Sequence, residues 1–158
     1  MTFFFLLVGI FAVVHVPPLA RLFGAPTRRD KMRVAAGVAF IVASLPHFFT
    51  PERYLPMMPP FVPAPLTMIY VSGVAELLGG LGLLIPMSIQ LAGWGLVLLL
   101  VAIFPANIYV ALTGANATGL PSSPWYTWSR LPFQIVFIWW VIKAVRTPRY
   151  TDQTAWRP

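Results

Sequence analysis

Five apolar stretches limit what this chain can fold into. They cover residues 2–20, 34–49, 66–86, 89–112 and 130–146, and a helix of about 20 residues crosses the roughly 30 Å of a bilayer's hydrocarbon core. The chain is 58% hydrophobic and only 9% charged, whereas soluble domains have about 25% charged residues. The pattern predicts an all-α integral membrane protein, a single domain over residues 1–158 with five transmembrane helices.

Positive charge flanks these stretches unevenly and predicts the orientation. The basic residues that follow the first stretch or lie in the C-terminal tail are Arg21, Arg28, Arg29, Lys31, Arg33, Arg146, Arg149 and Arg157. The positive-inside rule places both groups in the cytoplasm. Five spans with the first loop inside put the N-terminus outside and the C-terminus in the cytoplasm, so charge and parity agree. The first stretch lacks the leading positive charges of a signal peptide, and we interpret it as an uncleaved helix.

Two longer loops then lie outside. Loop 50–65 contains six prolines and the charged pair Glu52 and Arg53, which predicts a stiff, extended lid over the outer surface. Loop 113–129 ends in Trp125, Tyr126 and Trp128, aromatic side chains that favour the headgroup region. They mark the outer boundary of the fifth helix.

Glu76 is the most unusual residue in the apolar stretches. A carboxylate at a helix centre costs about 2.5–3.5 kcal/mol on insertion scales, so it usually faces other helices or water. At about 100° per residue, Ser72, Gly73, Gly79 and Gly80 lie within roughly 60° of it on the helical wheel, and such small residues allow close helix packing. Glu76 is therefore expected to face a neighbouring helix as a protonated acid. It serves there either as an interhelical hydrogen bond or as a proton-holding group.

Four other polar residues are expected at a similar, outer depth. His47 lies near the outer end of the second helix, Asn107 in the outer third of the fourth, and Gln134 one turn inside the fifth, with Arg130 above it on the same face. The presence of any one of these residues alone is explained by a position at the membrane interface or by a hydrogen bond between helices. Their shared depth above Glu76 predicts an outward-facing polar pocket that binds a ligand.

Several functional classes have no support in the sequence. There are no cysteines, which excludes disulfides and thiolate metal sites. The two histidines, His15 and His47, are expected on opposite sides of the membrane, so no metal-ligand pair is predicted. No nucleophile–base pair and no nucleic-acid motif are found, and the net charge of +7 is explained by topology. The expectation leans away from an enzyme.

Three segments carry a resemblance to a known family: LPHFFTPERYLPMMPPFVPAPL, YVSGVAELLGGLGLLIP and LAGWGLVLLLVAIFPANIYVAL. They resemble the DoxX-like (DoxX/MauE-type) family of small bacterial integral membrane proteins over about residues 33–146. The resemblance implies a four-helix core, here with one extra N-terminal transmembrane helix, in the bacterial cytoplasmic (inner) membrane. It also implies an association with quinone or thiol redox metabolism. The family's recurrent polar positions fall on His47, Glu52, Glu76 and Asn107.

Three functions remain open from the sequence. The first is an accessory component of membrane redox metabolism that binds a small amphipathic ligand, with a quinone as the candidate cofactor. The second is a small proton-coupled transporter in which Glu76 couples proton movement. The third is a structural or assembly subunit, whose partners would be other membrane subunits or further copies of the chain in a homo-oligomer.

Overall fold

The computed structural model describes residues 2–146, and every regular element in that range is helical. The α-helices are α1 (Thr2–Val14), α2 (Pro17–Leu22), α3 (Arg28–Phe49), α4 (Pro65–Leu84), α5 (Ile89–Thr113) and α6 (Pro124–Val145). Two 3₁₀ helices, Pro51–Met57 and Pro86–Ser88, precede α4 and α5. The described residues therefore form an all-α fold, as the sequence predicts.

Three segments are long and apolar enough to cross a membrane: α3, α4, and α5 together with the turn before it. With 22, 20 and 28 residues they span about 30 Å or more at 1.5 Å per residue. Helix α1 is apolar but has only 13 residues, about 20 Å. Helix α6 has 22 residues but carries Arg130 and Lys143. These features indicate a membrane protein.

The helix boundaries differ from the sequence expectation at three places. The first stretch is two helices, because Pro17 has no N–H to donate and forces Val16 into an extended conformation (ψ 123°). Helix α3 begins at Arg28 rather than at residue 34. Thr27 forms a capping box with Asp30 there, which satisfies the first amide groups of the helix. Helix α6 begins at Pro124 rather than at residue 130, with proline at its first position.

The proline-rich loop also differs from the prediction in part. Its first half is the 3₁₀ helix Pro51–Met57 rather than an extended segment. Proline is allowed at the start of a helix because its missing N–H has no partner there in any case. The second half, residues 58–64, is irregular.

Helices α3, α4, α5 and α6 form a ring in which each packs on the next and α6 returns to α3. We call this the four-helix ring. Helix α3 also contacts α1. Buried apolar side chains from the ring and α1 meet in one core that includes Leu7, Phe40, Leu83, Leu96 and Val141.

Aromatic side chains fix α1 in the groove between α3 and α6. The Phe3 ring lies 4.9 Å from Phe40 and 4.7 Å from Phe137 (centroid to centroid). About two turns further along α1, Phe11 packs edge-on against Trp140 at 5.0 Å. Such tilted contacts are favourable beyond the area they bury, so α1 has a defined position beside the ring.

The two ends of the ring differ in chemistry. We call the end of the ring where α4 and α6 finish the basic end. There, basic side chains donate hydrogen bonds to free backbone carbonyls. Arg33 donates to the Leu83 carbonyl at 3.1 Å, and Arg29 to the Arg146 carbonyl at 3.4 Å. At the opposite end, α3 and α5 finish and α1, α4 and α6 begin. The polar residues predicted to share a depth lie there.

Candidate functional site

A cavity of about 290 Å³ lies inside the four-helix ring, near the end opposite the basic end. We call it the central cavity. Its lining includes all five residues predicted to share a ligand site: His47, Glu76, Asn107, Arg130 and Gln134. They come from α3, α4, α5 and α6, one or two from each helix. Most of the remaining wall is apolar, with Phe, Met, Ile and Leu side chains. The structure therefore brings the five residues to one space.

Glu76 and His47 face each other across the contact between α4 and α3. Glu76 Oε2 lies 3.7 Å from His47 Nδ1, which is longer than a hydrogen bond. Both atoms are buried, and neither has a hydrogen-bond partner within residues 2–146. Buried polar groups are normally paired, so this part of the wall has unused hydrogen-bonding capacity.

Tyr54 completes this side of the cavity. Its ring stacks on His47 with centroids 4.6 Å apart and an interplanar angle of 5°. Burial raises the pKa of the Tyr54 phenol, so the hydroxyl remains neutral at physiological pH. The 3₁₀ helix Pro51–Met57 holds Tyr54 at the end of α3, and the stacking fixes the orientation of the imidazole.

Asn107 and Gln134 form a hydrogen-bonded pair between α5 and α6. Asn107 Nδ2 donates to Gln134 Oε1 at 2.7 Å, and Gln134 Nε2 donates to the Leu100 carbonyl. Gln134 is buried, with 2% of its surface exposed. Gln134 thus has both ends of its amide occupied, while the Asn107 carbonyl oxygen is available on the wall of the cavity.

Arg130 lies on the α6 wall among neutral groups. Its Nη2 donates to Asn116 Oδ1 at 2.6 Å, its Nη1 lies 3.8 Å from the Met57 sulfur, and the guanidinium lies 5.6 Å from the centre of the Tyr126 ring. Asn116 is fixed in turn by a 2.6 Å hydrogen bond to the Pro121 carbonyl. The Nε atom of Arg130 is buried with no partner in the described part of the chain.

The two loops predicted to lie outside are joined to each other. Arg53 Nε donates to the Thr118 carbonyl at 3.0 Å, and the Thr118 amide donates to the Arg53 carbonyl at the same distance. Glu52, the other predicted lid residue, is exposed and, like Arg53, is not part of the cavity wall. Loop 50–65 therefore lies against the cavity, and the residues of this loop that reach the cavity wall are Tyr54, Met57 and Met58.

The small residues around Glu76 lie at helix contacts. A side chain at Gly80 would come 2.7 Å from the Gly37 carbonyl of α3, and one at Gly79 would meet Leu96 of α5 at 2.5 Å. Gly73 faces His47, where an added Cβ would lie 2.5 Å from the His47 Cβ. Ser72 lines the cavity and bonds back to the Ile69 carbonyl at 2.8 Å. Gly73 thus allows α3 to bring His47 close to α4.

Sequence reasoning did not identify several residues of this site. Tyr54, Met57 and Met58 lie in a proline-rich loop, where no periodicity predicts which side chains turn inward. Asn116 stands in the tripeptide Asn-Ala-Thr, which resembles a glycosylation acceptor, but its role here is to orient Arg130. The one available signal was the charge of Arg130 itself, since a charged side chain between helices requires a polar partner.

The cavity wall combines a few hydrogen-bonding side chains with a mainly apolar surface. Within residues 2–146, no group of three His, Asp or Glu residues lies close enough to hold a metal ion. The wall offers hydrogen-bond donors at Arg130 and acceptors at Glu76 and Asn107, with His47 able to do either. A mainly apolar cavity with a few fixed polar groups is the usual form of a small-molecule site.

The fold and the cavity define a class: an all-helical protein with helices that could cross a membrane and a polar-walled space between them. The chain belongs to the family defined by a domain of unknown function, DUF8561, which matches residues 36–145. That range begins in α3 and ends at the last residue of α6, so it coincides with the four-helix ring and leaves out α1 and α2. Comparison with curated proteins and with solved structures finds no match.

Proposed function

We propose that this protein binds a small amphipathic molecule in its central cavity, as an accessory component of membrane redox metabolism, and that the molecule is a quinone or quinone-like ring. The proposal rests mainly on one observation. Four different helices each direct polar side chains into one cavity whose other walls are apolar. Such a wall matches a ligand with a polar, hydrogen-bonding head and an apolar body. The redox context comes from the DoxX-like resemblance.

The size of the cavity favours a ring-sized head group. Ligand sites usually measure about 300–1,000 Å³, and about 290 Å³ lies at the lower end of that range. Arg130 on α6 and His47 on α3 supply hydrogen-bond donors for the two carbonyl oxygens of such a ring. A long isoprenoid tail would have to leave the cavity between helices.

The proposal includes the topology predicted from the sequence: five spans in the bacterial cytoplasmic membrane, with the N-terminus outside. The charges of the described chain support it, since seven basic residues cluster at one end: Arg21, Arg28, Arg29, Lys31, Arg33, Lys143 and Arg146. That end would face the cytoplasm. The central cavity would then lie in the outer half of the membrane.

The test is to identify what the purified protein carries. Native mass spectrometry of the protein extracted from its own membrane should reveal a bound amphiphile of defined mass, one per chain, which organic extraction identifies. Added 2-methyl-1,4-naphthoquinone should raise the melting temperature. Absence of any bound molecule, together with no thermal shift, would contradict the proposal.

A proton-coupled transporter is the second candidate, and the Glu76–His47 pair favours it. A buried acid beside a histidine is a common means of holding a transferable proton. This function predicts proton flux in liposomes that Glu76→Gln abolishes. Quinone binding without proton flux would decide against it.

A further inference from the structure

Arg130 has no acidic partner in the described structure. Within residues 2–146 the ion pairs are Arg33–Asp30 and His47–Glu76, so no described carboxylate lies within 4.0 Å of the Arg130 guanidinium. Its contacts are an amide oxygen, a thioether sulfur and an aromatic ring. All three are neutral, and an arginine side chain does not lose its proton in proteins.

Glu76 is the acidic residue of the cavity wall, but its position does not suit it as the counter-charge. Glu76 lies on α4 and Arg130 on α6, and these helices are opposite each other in the four-helix ring. His47 and Tyr54 lie beside Glu76, on its side of the cavity. Glu76 and Arg130 therefore line the same cavity without forming an ion pair in the described structure.

Burying a charge without a partner is unfavourable, and a partner of opposite charge offsets the loss of hydration. From the position of Arg130 we infer that the cavity selects a ligand with an oxyanion, an ionised carboxylate or acidic hydroxyl, and that Arg130 binds this group. The inference rests on the proposed function and specifies its ligand: an anionic, ring-sized amphiphile. For a quinone-like ligand this means an ionised hydroxyquinone rather than a neutral quinone.

The apolar wall favours an amphiphilic anion over a simple free anion as the occupant. Phe133 and Phe137 follow Arg130 along α6 and line the same cavity, with Leu100 and Ile103 on α5. These side chains would contact the body of the ligand, and their burial would add to the affinity. A small hydrophilic anion such as acetate gains nothing from them.

The experiment compares two probes of nearly equal size. 2-Hydroxy-1,4-naphthoquinone is ionised at neutral pH, whereas 2-methoxy-1,4-naphthoquinone is neutral, and the absence of cysteine removes the main covalent side reaction of such rings. Dissociation constants are measured on the full chain in detergent. A charge-assisted hydrogen bond is worth about 1.5–3 kcal/mol, so the ionised probe should bind about tenfold to a hundredfold more tightly.

Variants assign this preference to Arg130. Arg130→Gln should abolish the preference, because it lowers the affinity for the ionised probe about tenfold to a hundredfold and the affinity for the neutral probe much less, and Arg130→Lys should retain most of the preference. Lys143→Gln, which removes a charge from the other end of α6, is the matched control and should change nothing. Retention of the preference in Arg130→Gln would overturn the inference even if that variant were less stable.

The outcomes separate the inference from the proposed function. Equal binding of the two probes to the unmodified protein overturns the inference and leaves the proposed function standing. Binding of neither probe overturns both. Displacement of the ionised probe by acetate at similar concentration would mean a simple anion site and would also overturn the inference.

Discussion

Glu76 shows how one residue determines the chemistry of the cavity. The sequence identifies it because an acid in an apolar stretch requires a reason, and the structure places it 3.7 Å from His47. The contact between His47 and Glu76 could not be predicted, since the rotation of α3 about its axis depends on where Gly73 permits close approach. When nearly all residues of a helical segment are apolar, the sequence does not show which face of the helix is turned toward its neighbours.

Replacing Glu76 by Gln tests its role directly. The change keeps the shape and replaces the acid O–H by a weaker amide N–H donor, so we expect about a twofold to tenfold loss of ligand affinity, the size of one neutral hydrogen bond, with the free energy of unfolding unchanged. Titration of the thermal shift with 2-methyl-1,4-naphthoquinone measures the affinity. Ser72→Ala, on the same helix, is the control and should bind normally, because the Ser72 hydroxyl bonds to its own helix. Normal binding by Glu76→Gln would instead favour a purely structural role.

The Asn107–Gln134 pair gives a second prediction at the residue scale. Asn107→Ala leaves Gln134 Oε1 without its donor and should destabilise the protein by about 0.6–1.7 kcal/mol, the range for interhelical hydrogen bonds in membranes. Replacing both residues by Leu should cost less than the single change, because no unpaired group remains. Unfolding in mixed micelles with increasing SDS measures both. A double variant that is less stable than the single one would contradict this interpretation.

At the scale of elements, the sequence predicts helices better than it predicts their ends and neighbours. The apolar stretches give α3, α4, α5 and α6 because length and hydropathy suffice for that. The starts of α3 and α6 lie in polar segments, where the Thr27 capping box and Pro124 decide the boundary rather than apolar content. The break before Pro17 coincides with a Pro-Pro pair in the sequence. Predicting it would have meant giving the helix-breaking effect of proline more importance than the continuous apolar stretch.

The contact between α3 and α4 depends on two glycines. At Gly80, a methyl group would lie 2.7 Å from the backbone oxygen of Gly37, and a backbone atom cannot move away cheaply. Gly80→Ala should therefore destabilise the protein by about 1–3 kcal/mol, as overpacking does. Gly95→Ala on α5 is the matched control, because nothing lies within 4 Å of its added carbon. Equal stability of the two variants in the SDS assay would show that the glycine contact is unimportant.

At the scale of the whole molecule, the proposed orientation rests on the difference in charge between the two ends. The absence of cysteine allows single cysteines to report on it. We expect a membrane-impermeant maleimide to label Ser122→Cys, in the loop before α6, on intact cells. Met87→Cys, 99% exposed in the turn between α4 and α5, should be labelled only after lysis. The reverse pattern would mean that the cavity lies nearer the cytoplasm.

The family match covers the part of the molecule that contains the central cavity. Residues 36–145 cover the four-helix ring, and all five polar residues of the central cavity lie within it. Sequence reasoning grouped these five by depth alone. It could not find Tyr54, Met57 and Met58, because an irregular proline-rich loop gives no rule for side-chain direction.

Filling the cavity tests the central claim most directly. Ala106 lines the central cavity, whereas Ala102, one turn earlier on α5, is exposed and outside it. Ala106→Phe should abolish binding of 2-methyl-1,4-naphthoquinone, and Ala102→Phe should bind it like the unmodified protein, as measured by the dissociation constant in detergent. Undiminished binding by a folded Ala106→Phe variant would contradict the claim that the cavity is the ligand site.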